Sequence, residues 1–235
     1  MQLLFIILFV CMVIFFFGLH VLAKDDLVLV RKNITLESLF NIAFVILLVG
    51  LFSARLVFVI SNPDPAFLNP LVFFLFPYFP GLSLVGGIIG SMIFLFFYSH
   101  GRRLPLGKLY DFFSMSFAAS LPFGYLGVQL LNGIEDYFLG IFLPILYLVI
   151  LIFFVKLLLP LNIRGEIKDG TLGFLFILVF SFSSIMINVV RAENINSMWL
   201  NIENVLLLIL FFFALAMVLL LEKGEIRIKL QLRDR

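Results

Sequence analysis

The sequence predicts an all-α integral membrane protein with about seven transmembrane helices, its N-terminus outside and its C-terminus in the cytoplasm. Of the 235 residues, 63% are hydrophobic and only 13% are charged, whereas a soluble domain carries about 25% charged residues. The mean hydropathy is +1.22. The basic residues, moreover, gather in every second connection between the apolar runs. A water-soluble fold cannot bury this much apolar surface.

Seven apolar runs approach the roughly 20 residues that a helix needs to cross a bilayer. They cover residues 2–23, 38–60, 83–99, 111–131, 138–159, 170–190 and 204–221. The runs predict a single transmembrane domain over 1–221 and a basic cytoplasmic tail over 222–235. No positive charge precedes the first run, which favours a retained helix over a signal peptide. Segment 61–82 mixes Pro and Asn with aromatic residues and is expected to lie in the outer interface.

All but two of the 16 Lys and Arg residues fall in the connections and the tail that this topology places inside. This bias follows the positive-inside rule. It also supports the number of spans, because a missed or invented span would invert every later loop. The alternating apolar and charged residues of the tail suit a solvated segment, a short strand or an amphipathic stretch on the anionic inner leaflet.

The two exceptional basic residues are Arg55 and Arg191, toward the predicted outer ends of their runs. An arginine in an apolar run is costly unless it snorkels to the headgroups or meets an anion. Snorkelling of Arg55 and helix-end anchoring by Arg191 are the structural alternatives. Because a guanidinium matches phosphate with two parallel hydrogen bonds, the pair predicts a site for an anionic lipid headgroup.

Glycines open the third run, in the order Gly86-Gly87-Ile88-Ile89-Gly90. Small residues four apart let two helices pack closely. Alternatively, bare backbone at a helix N-terminus binds phosphate through its N–H groups and the positive end of the helix dipole. Gly86 and Gly87 are therefore candidates for both roles.

A second polar cluster lies along the fourth run. Asp111 opens this run and is expected to cap the helix and complement its dipole. Pro122 would loosen or kink the helix near its outer end and expose backbone for binding. The further candidates in this cluster are Gly124, Gly127, Asn132 and Glu135.

Several kinds of function find no support in the sequence. The net charge of +2 is too small to indicate a nucleic-acid partner. The only cysteine, Cys11, lies inside an apolar run and forms neither a disulfide nor a metal cluster. His20 and His100 fall at predicted cytoplasmic helix ends, away from an outer site. No cofactor or metal motif is present, so we expect neither.

The motifs occur in a recognisable order. Ala54-Arg55-Leu56 lies in the second run, SLVGGIIG opens the third, DFFSMSFAASLPFGYLG forms much of the fourth, and GTLGFLFILVFSFSSIMINVVR forms the sixth. Over about residues 50–200 this order resembles the prolipoprotein diacylglyceryl transferase family, with its Gly-Arg, S-F-H-G-G-L-I-G and G-R-L/I-G-N-F motifs. The resemblance implies seven helices in this orientation. It also implies transfer of diacylglyceryl from phosphatidylglycerol to a lipobox cysteine thiol.

The sequence departs from that family at residues on which the reaction depends. The family's histidine before Gly-Gly is Val85 here, and its arginine after Gly124 is Tyr125. In the sixth helix, Ser184 and Asn188 replace the family's Arg and Glu, while Arg191 keeps the last Arg. Alkylating a thiol requires a base, or a field that favours thiolate, and a group that holds the departing glycerol phosphate. Tyr125 and Glu135 are the candidates left for catalysis.

The sequence thus predicts a divergent diacylglyceryl transferase of the bacterial plasma membrane, acting on phosphatidylglycerol and a lipobox-bearing preprolipoprotein. One alternative is a catalytically inactive relative that binds anionic phospholipid or partners a membrane enzyme. A second alternative is a small transporter or membrane scaffold. Arg55 is the only ionisable group identified well inside a run, and transporters usually need more such groups.

Overall fold

A computed structural model describes residues 2–24, 26–63, 67, 72–73, 81–132, 137–191 and 201–233. Its helices are α1 (Gln2–Ala23), α2 (Leu27–Arg31), α3 (Leu36–Ser61), α4 (Leu84–Arg102), α5 (Leu106–Asn132), α6 (Tyr137–Phe153), α7 (Leu159–Ile163), α8 (Thr171–Arg191) and α9 (Ile202–Arg233). No strand occurs among the residues that the structure describes. The prediction of an all-α fold is confirmed.

Six of the seven predicted spans each correspond to one of these helices, and the span 138–159 runs from α6 through Phe154–Leu158 into α7. Six helices of the described residues are long and apolar enough to cross a membrane: Phe5–Ala23, Leu36–Ser61, Leu84–Arg102, Gly140–Ile163, Thr171–Val190 and Ile202–Lys223. The remaining predicted span, 111–131, lies on α5. That helix has 27 residues, about 40 Å of length, but it is not among the six. The orientation of the chain stays a prediction.

Two helix boundaries differ from the prediction. Asp111 does not open its helix, because α5 begins five residues earlier at Leu106, just after Pro105. The last helix continues to Arg233 through most of the predicted tail, so the short strand that the alternating pattern suggested does not form. Helix α5 also runs on through Pro122 as one continuous helix.

A π-helical turn joins α6 to α7 over Phe154–Leu158. The Leu159 N–H donates to the Phe154 carbonyl, five residues back rather than four. Pro160 follows and has no N–H to donate, so the regular α-helical ladder is interrupted at this point.

The chain forms two compact units. Unit 1 comprises Met1–Ala43 and Gly107–Phe176, and unit 2 comprises Phe44–Leu106 and Ile177–Arg235. The core of unit 1 contains Leu19, Leu39, Leu109, Tyr147 and Leu172, all almost fully buried. The core of unit 2 contains Leu95, Phe180, Leu207 and Ala214. Many large apolar side chains remain exposed, as suits helices surrounded by lipid.

In unit 1, α1 packs along α5 through small residues. A Cβ on Gly18 would lie 3.4 Å from the Ser116 backbone, and a Cβ on Gly124 would lie 3.7 Å from the Cys11 sulfur. A Cβ on Gly127 would overlap the Ile7 side chain. Gly124 and Gly127, predicted as supporting site residues, are thus positions of close helix packing.

Candidate functional site

Arg55 lies in the second half of α3, the half that the predicted topology places toward the outside. Only 3% of the residue is exposed. Its Nε donates to the Phe73 carbonyl at 3.1 Å, Nη1 to the Gly81 carbonyl at 2.8 Å, and Nη2 to the Val72 carbonyl at 3.2 Å. The guanidinium therefore lies inside unit 2. Snorkelling, one of the two alternatives drawn from the sequence, does not describe this side chain.

Aromatic rings complete the surroundings of this guanidinium. Its carbon lies 5.7 Å from the centre of the Phe58 ring and 5.0 Å from that of Phe67, within the range of cation–π attraction. Gly81 has a φ of 144°, and a Cβ there would overlap the Phe58 ring. Only glycine fits between the ring and the carbonyl that Arg55 binds.

No carboxylate of the described residues lies within ion-pair distance of Arg55. Its bonded partners are neutral carbonyls, which satisfy three of the five N–H donors of a guanidinium and do not cancel its charge. A buried cation with only dipolar partners favours a nearby anion. This charge is the main electrostatic feature of the candidate site.

Gly86 and Gly87 lie in the first turn of α4, close to α3. A Cβ on Gly86 would lie 2.5 Å from the Val57 Cβ and 2.9 Å from the Ser53 carbonyl. The Gly86 N–H donates to the Ser83 hydroxyl at 3.3 Å, and the Gly87 N–H donates to the Ser83 carbonyl at 3.1 Å. Of the two roles drawn from the sequence, the contacts describe helix packing. Phosphate binding by these N–H groups stays a prediction.

Val85 is buried in the same turn of α4. Its side chain neither donates nor accepts a proton. The Ser83 N–H donates to the Ala54 carbonyl at 3.0 Å, so the start of α4 is tied to the residue before Arg55. Unit 2 thus places Arg55, Val85 and the two glycines on two helices in direct contact.

Arg191 is the last residue of α8, and the structure describes its backbone only. One turn earlier, the Asn188 side-chain amide donates to the Asn204 side chain at 2.6 Å and links α8 to α9. Asn204 is buried. Asn188 therefore makes a hydrogen bond between helices, an interaction that the sequence pattern did not indicate.

Tyr125 is a half-buried residue of α5 in unit 1. Its ring is stacked on Tyr147 of α6, with centroids 5.0 Å apart and planes within 4°. A phenol can donate a hydrogen bond, but it carries no positive charge. Asn132 ends α5 and is described by its backbone only, while Glu135 lies outside the described residues.

Asp111 is almost fully buried, and it caps α8 rather than its own helix. Its carboxylate accepts the Gly170 N–H at 2.8 Å and the Gly173 N–H at 2.7 Å. It also accepts from the Asn162 side-chain amide at 3.3 Å. A negative group at the N-terminus of a helix is stabilising. The expected partner helix was wrong because α5 begins before Asp111.

Lys108, one turn before Asp111, extends this network. Its ammonium lies 3.3 Å from the Asp26 carboxylate, 3.4 Å from the Asp169 carboxylate and 3.2 Å from the side-chain oxygen Oδ1 of Asn162. We name Asp26, Lys108, Asp111, Asn162 and Asp169 the polar clasp. The sequence indicated Lys108 only as a topology charge and did not indicate Asp26, Asn162 or Asp169. The only feature that these three residues share in the sequence is an acidic or amide side chain near a predicted helix end. That feature does not show which residues they contact.

The comparison with protein families gives one finding. The family model described as prolipoprotein diacylglyceryl transferase matches residues 4–133, which is more than half of the 235 residues. The matched range contains both Arg55 and Tyr125. It begins earlier than the resemblance drawn from the motifs and ends before α8, so the assignment of Arg191 stays a prediction. No curated protein matches the chain. The chain nevertheless belongs to the prolipoprotein diacylglyceryl transferase family, and it is a multi-pass membrane protein.

Proposed function

We propose that this protein is a divergent phosphatidylglycerol:prolipoprotein diacylglyceryl transferase of the bacterial plasma membrane. In this reaction the thiol sulfur of a lipobox cysteine forms a bond to the glyceryl carbon of the lipid. The bond from that carbon to the phosphate oxygen breaks, glycerol phosphate leaves with the electron pair, and a base takes the thiol proton. Family membership supports this reaction type.

The observation that carries the proposal is the buried guanidinium of Arg55, which no carboxylate of the described residues approaches within ion-pair distance. The departing glycerol phosphate is an anion, and a fixed cation in a low-dielectric site stabilises such a leaving group. Carbonyls engage three of the guanidinium N–H groups, so the charge is held in place before the lipid arrives. In this proposal Arg191, Gly86 and Gly87 also contact the phosphate.

We assign the remaining roles from the sequence. Tyr125 donates a hydrogen bond and Glu135 accepts the thiol proton, in place of the arginine and histidine that the resemblance implies. Gly124, Gly127 and Asn132 support the helix that carries Tyr125, and Asp111 links that helix to α8. Phosphatidylglycerol and a lipobox-bearing preprolipoprotein are the partners, and neither a metal nor a cofactor is expected. We propose the orientation with the N-terminus outside.

A second candidate is a relative that binds anionic phospholipid without reacting. Two observations favour it: Val85 is buried where the family has a histidine, and Tyr125 is stacked on Tyr147. Losing a general base or an anion-stabilising group typically costs on the order of 10²- to 10⁴-fold in rate. Losing both leaves binding as the surviving activity.

One experiment separates the two candidates. The purified protein receives fresh phosphatidylglycerol and a lipobox peptide, and mass spectrometry measures both the thioether product and the retained lipid. A transferase forms product, and Arg55→Ala lowers the rate on the order of 10²- to 10³-fold. The control Arg102→Ala removes an exposed arginine at the end of α4 and leaves the rate unchanged.

Other outcomes have definite meanings. No product, with lipid retention that weakens in both Arg55→Ala and Arg191→Ala, selects the binding relative. Product that appears only in the Val85→His, Tyr125→Arg double variant selects the same candidate. If neither product nor arginine-dependent lipid retention is observed, both candidates are contradicted.

A further inference from the structure

The connection between α1 and α3 exposes two large apolar side chains. Leu27 and Val30 are 71% and 66% exposed, whereas Leu29, on the opposite side of α2, is 3% exposed. The helices on either side, Phe5–Ala23 and Leu36–Ser61, are both long and apolar enough to cross a membrane. The connection is short, so α2 lies near the membrane surface.

Exposed basic residues flank these apolar residues in the sequence. Lys24, Arg31 and Lys32 are all exposed, and Asp26, the described acidic residue between α1 and α2, belongs to the polar clasp. Leu27 and Arg31 are four residues apart, with Val30 between them, so all three share one face of the helix. Apolar and basic side chains on one face are typical of a segment lying in the headgroup region of a bilayer.

Hydrogen bonds fix this face outward. Asp26 Oδ1 accepts the N–H groups of Val28 and Leu29 at 2.9 and 3.1 Å, and its Oδ2 pairs with Lys108 at 3.3 Å. The turn ends at Asn33, whose φ is 53°. The buried Leu29 anchors the inner face. Leu27 and Val30 therefore remain outside the core of unit 1.

We propose that α2 is a binding surface for anionic phospholipid in the adjacent leaflet. Leu27 and Val30 enter the boundary between headgroups and acyl chains, while Lys24, Arg31 and Lys32 contact phosphate groups. A basic residue near an anionic membrane surface contributes roughly fivefold to binding. This surface does not include Arg55, and it does not depend on the proposed transfer reaction.

Fluorescence quenching in reconstituted bilayers tests the proposal. The probe is Leu27→Trp in a Trp199→Phe background, which removes the only natural tryptophan, in bilayers of phosphatidylcholine and phosphatidylglycerol. In one sample the phosphatidylglycerol carries bromine on its acyl chains near the ester carbonyls, and in a second sample the phosphatidylcholine does. We expect brominated phosphatidylglycerol to quench the probe more than its share of the bilayer accounts for. A control probe, Leu148→Trp on the exposed face of α6, is expected to report the bulk lipid ratio.

Charge removal gives the second arm. Arg31→Gln with Lys32→Gln is expected to lower the preference for phosphatidylglycerol at the Leu27→Trp probe by at least roughly fivefold. The matched pair Arg102→Gln with Arg103→Gln leaves it unchanged. Absence of quenching, as when water or a second protein covers α2, overturns the proposal. The proposal is also overturned if quenching at the probe matches the bulk ratio of the two lipids, or if the preference for phosphatidylglycerol is the same after the charges are removed. Val30→Trp replaces the probe if the first variant misfolds.

Discussion

The Arg55 guanidinium is held by atoms that carry no net charge. Its planar fork reaches the carbonyls of the adjacent residues Val72 and Phe73 and that of Gly81, at distances between 2.8 and 3.2 Å. A lysine ammonium is a compact point charge and cannot match this planar arrangement. Partners of this kind leave the positive charge in place for a lipid phosphate, whereas a carboxylate would have neutralised it.

Asp111 allows a sharp test at the scale of one residue. Asp111→Asn keeps the size of the side chain but has one acceptor oxygen where two now bind the Gly170 and Gly173 N–H groups. One buried backbone donor then faces an amide NH₂. We expect the free energy of unfolding to fall by about 1–3 kcal/mol, measured by equilibrium unfolding in mixed detergent micelles.

Asp169→Asn is the matched control for this variant. The Asp169 side chain is 46% exposed and pairs with Lys108, so removing its charge should cost less than about 1 kcal/mol in the free energy of unfolding. Equal losses in the two variants would contradict the capping role of Asp111. Activity measured in the same samples shows whether the polar clasp matters beyond stability.

Single residues also mark the limit of inference from sequence. A charge in an apolar run identified Arg55 as unusual, because membrane insertion makes such a charge costly. Its partners are backbone carbonyls, which every residue has, so no residue type could indicate them. Asp111 was visible as a capping residue, but which helix it caps depends on how two distant segments meet.

Small residues line the contact between helices α3 and α4. Gly50, Ser53 and Ala54 of α3 meet Gly86 and Gly87 of α4. This arrangement brings the backbone of α4 close to α3 within one turn of Arg55. Close backbone approach is the usual way in which transmembrane helices gain packing energy without a hydrophobic driving force.

Gly86→Ala tests whether this packing is required. The added Cβ would lie 2.5 Å from the Val57 Cβ and 2.9 Å from a backbone oxygen of Ser53, so α4 must move. We expect a loss of about 1–3 kcal/mol in the free energy of unfolding. Gly101→Ala is the control on the same helix, since nothing lies within 4 Å of its Cβ position.

The Gly101→Ala control should leave the free energy of unfolding unchanged or raise it by up to about 1 kcal/mol, because alanine restricts the unfolded chain more than glycine does. A neutral Gly86→Ala variant with weakened phosphatidylglycerol retention would instead favour direct contact between this backbone and phosphate. The two roles drawn from the sequence for Gly86 are thereby separated.

Helix positions followed from apolar run length, whereas helix ends did not. The apolar count placed the fourth helix at 111–131, but α5 includes Gly107 and Lys108. A lysine is costly near apolar surroundings unless it is paired, and Lys108 is paired with Asp26 and Asp169. The pairing residues are distant in sequence, so the extension of α5 could not be predicted locally.

Helix α5 raises a question that concerns the whole molecule. Helix α5 buries Lys108, Asp111, Ser116 and Ser120, and it is not among the six helices that are long and apolar enough to cross a membrane. A helix surrounded by protein needs less apolar surface than one facing lipid. The distribution of Lys and Arg along the sequence predicts that α5 crosses the membrane, since otherwise every later loop would change sides.

Cysteine labelling in intact cells tests this crossing and the orientation together. In a Cys11→Ala background, single cysteines are introduced as Asn62→Cys, Gly101→Cys and Glu166→Cys, at exposed positions after α3, α4 and α7. We expect a membrane-impermeant maleimide to label Asn62→Cys from outside. The other two should react only after permeabilisation, because both α5 and α6 lie between them and cross. Opposite accessibility of Gly101→Cys and Glu166→Cys would mean that only one of these helices crosses, and would remove the seven-span topology. Reversed labelling of all three would keep the spans and invert the orientation, which would place Arg55 nearer the cytoplasmic leaflet and contradict a site that meets its lipobox substrate outside.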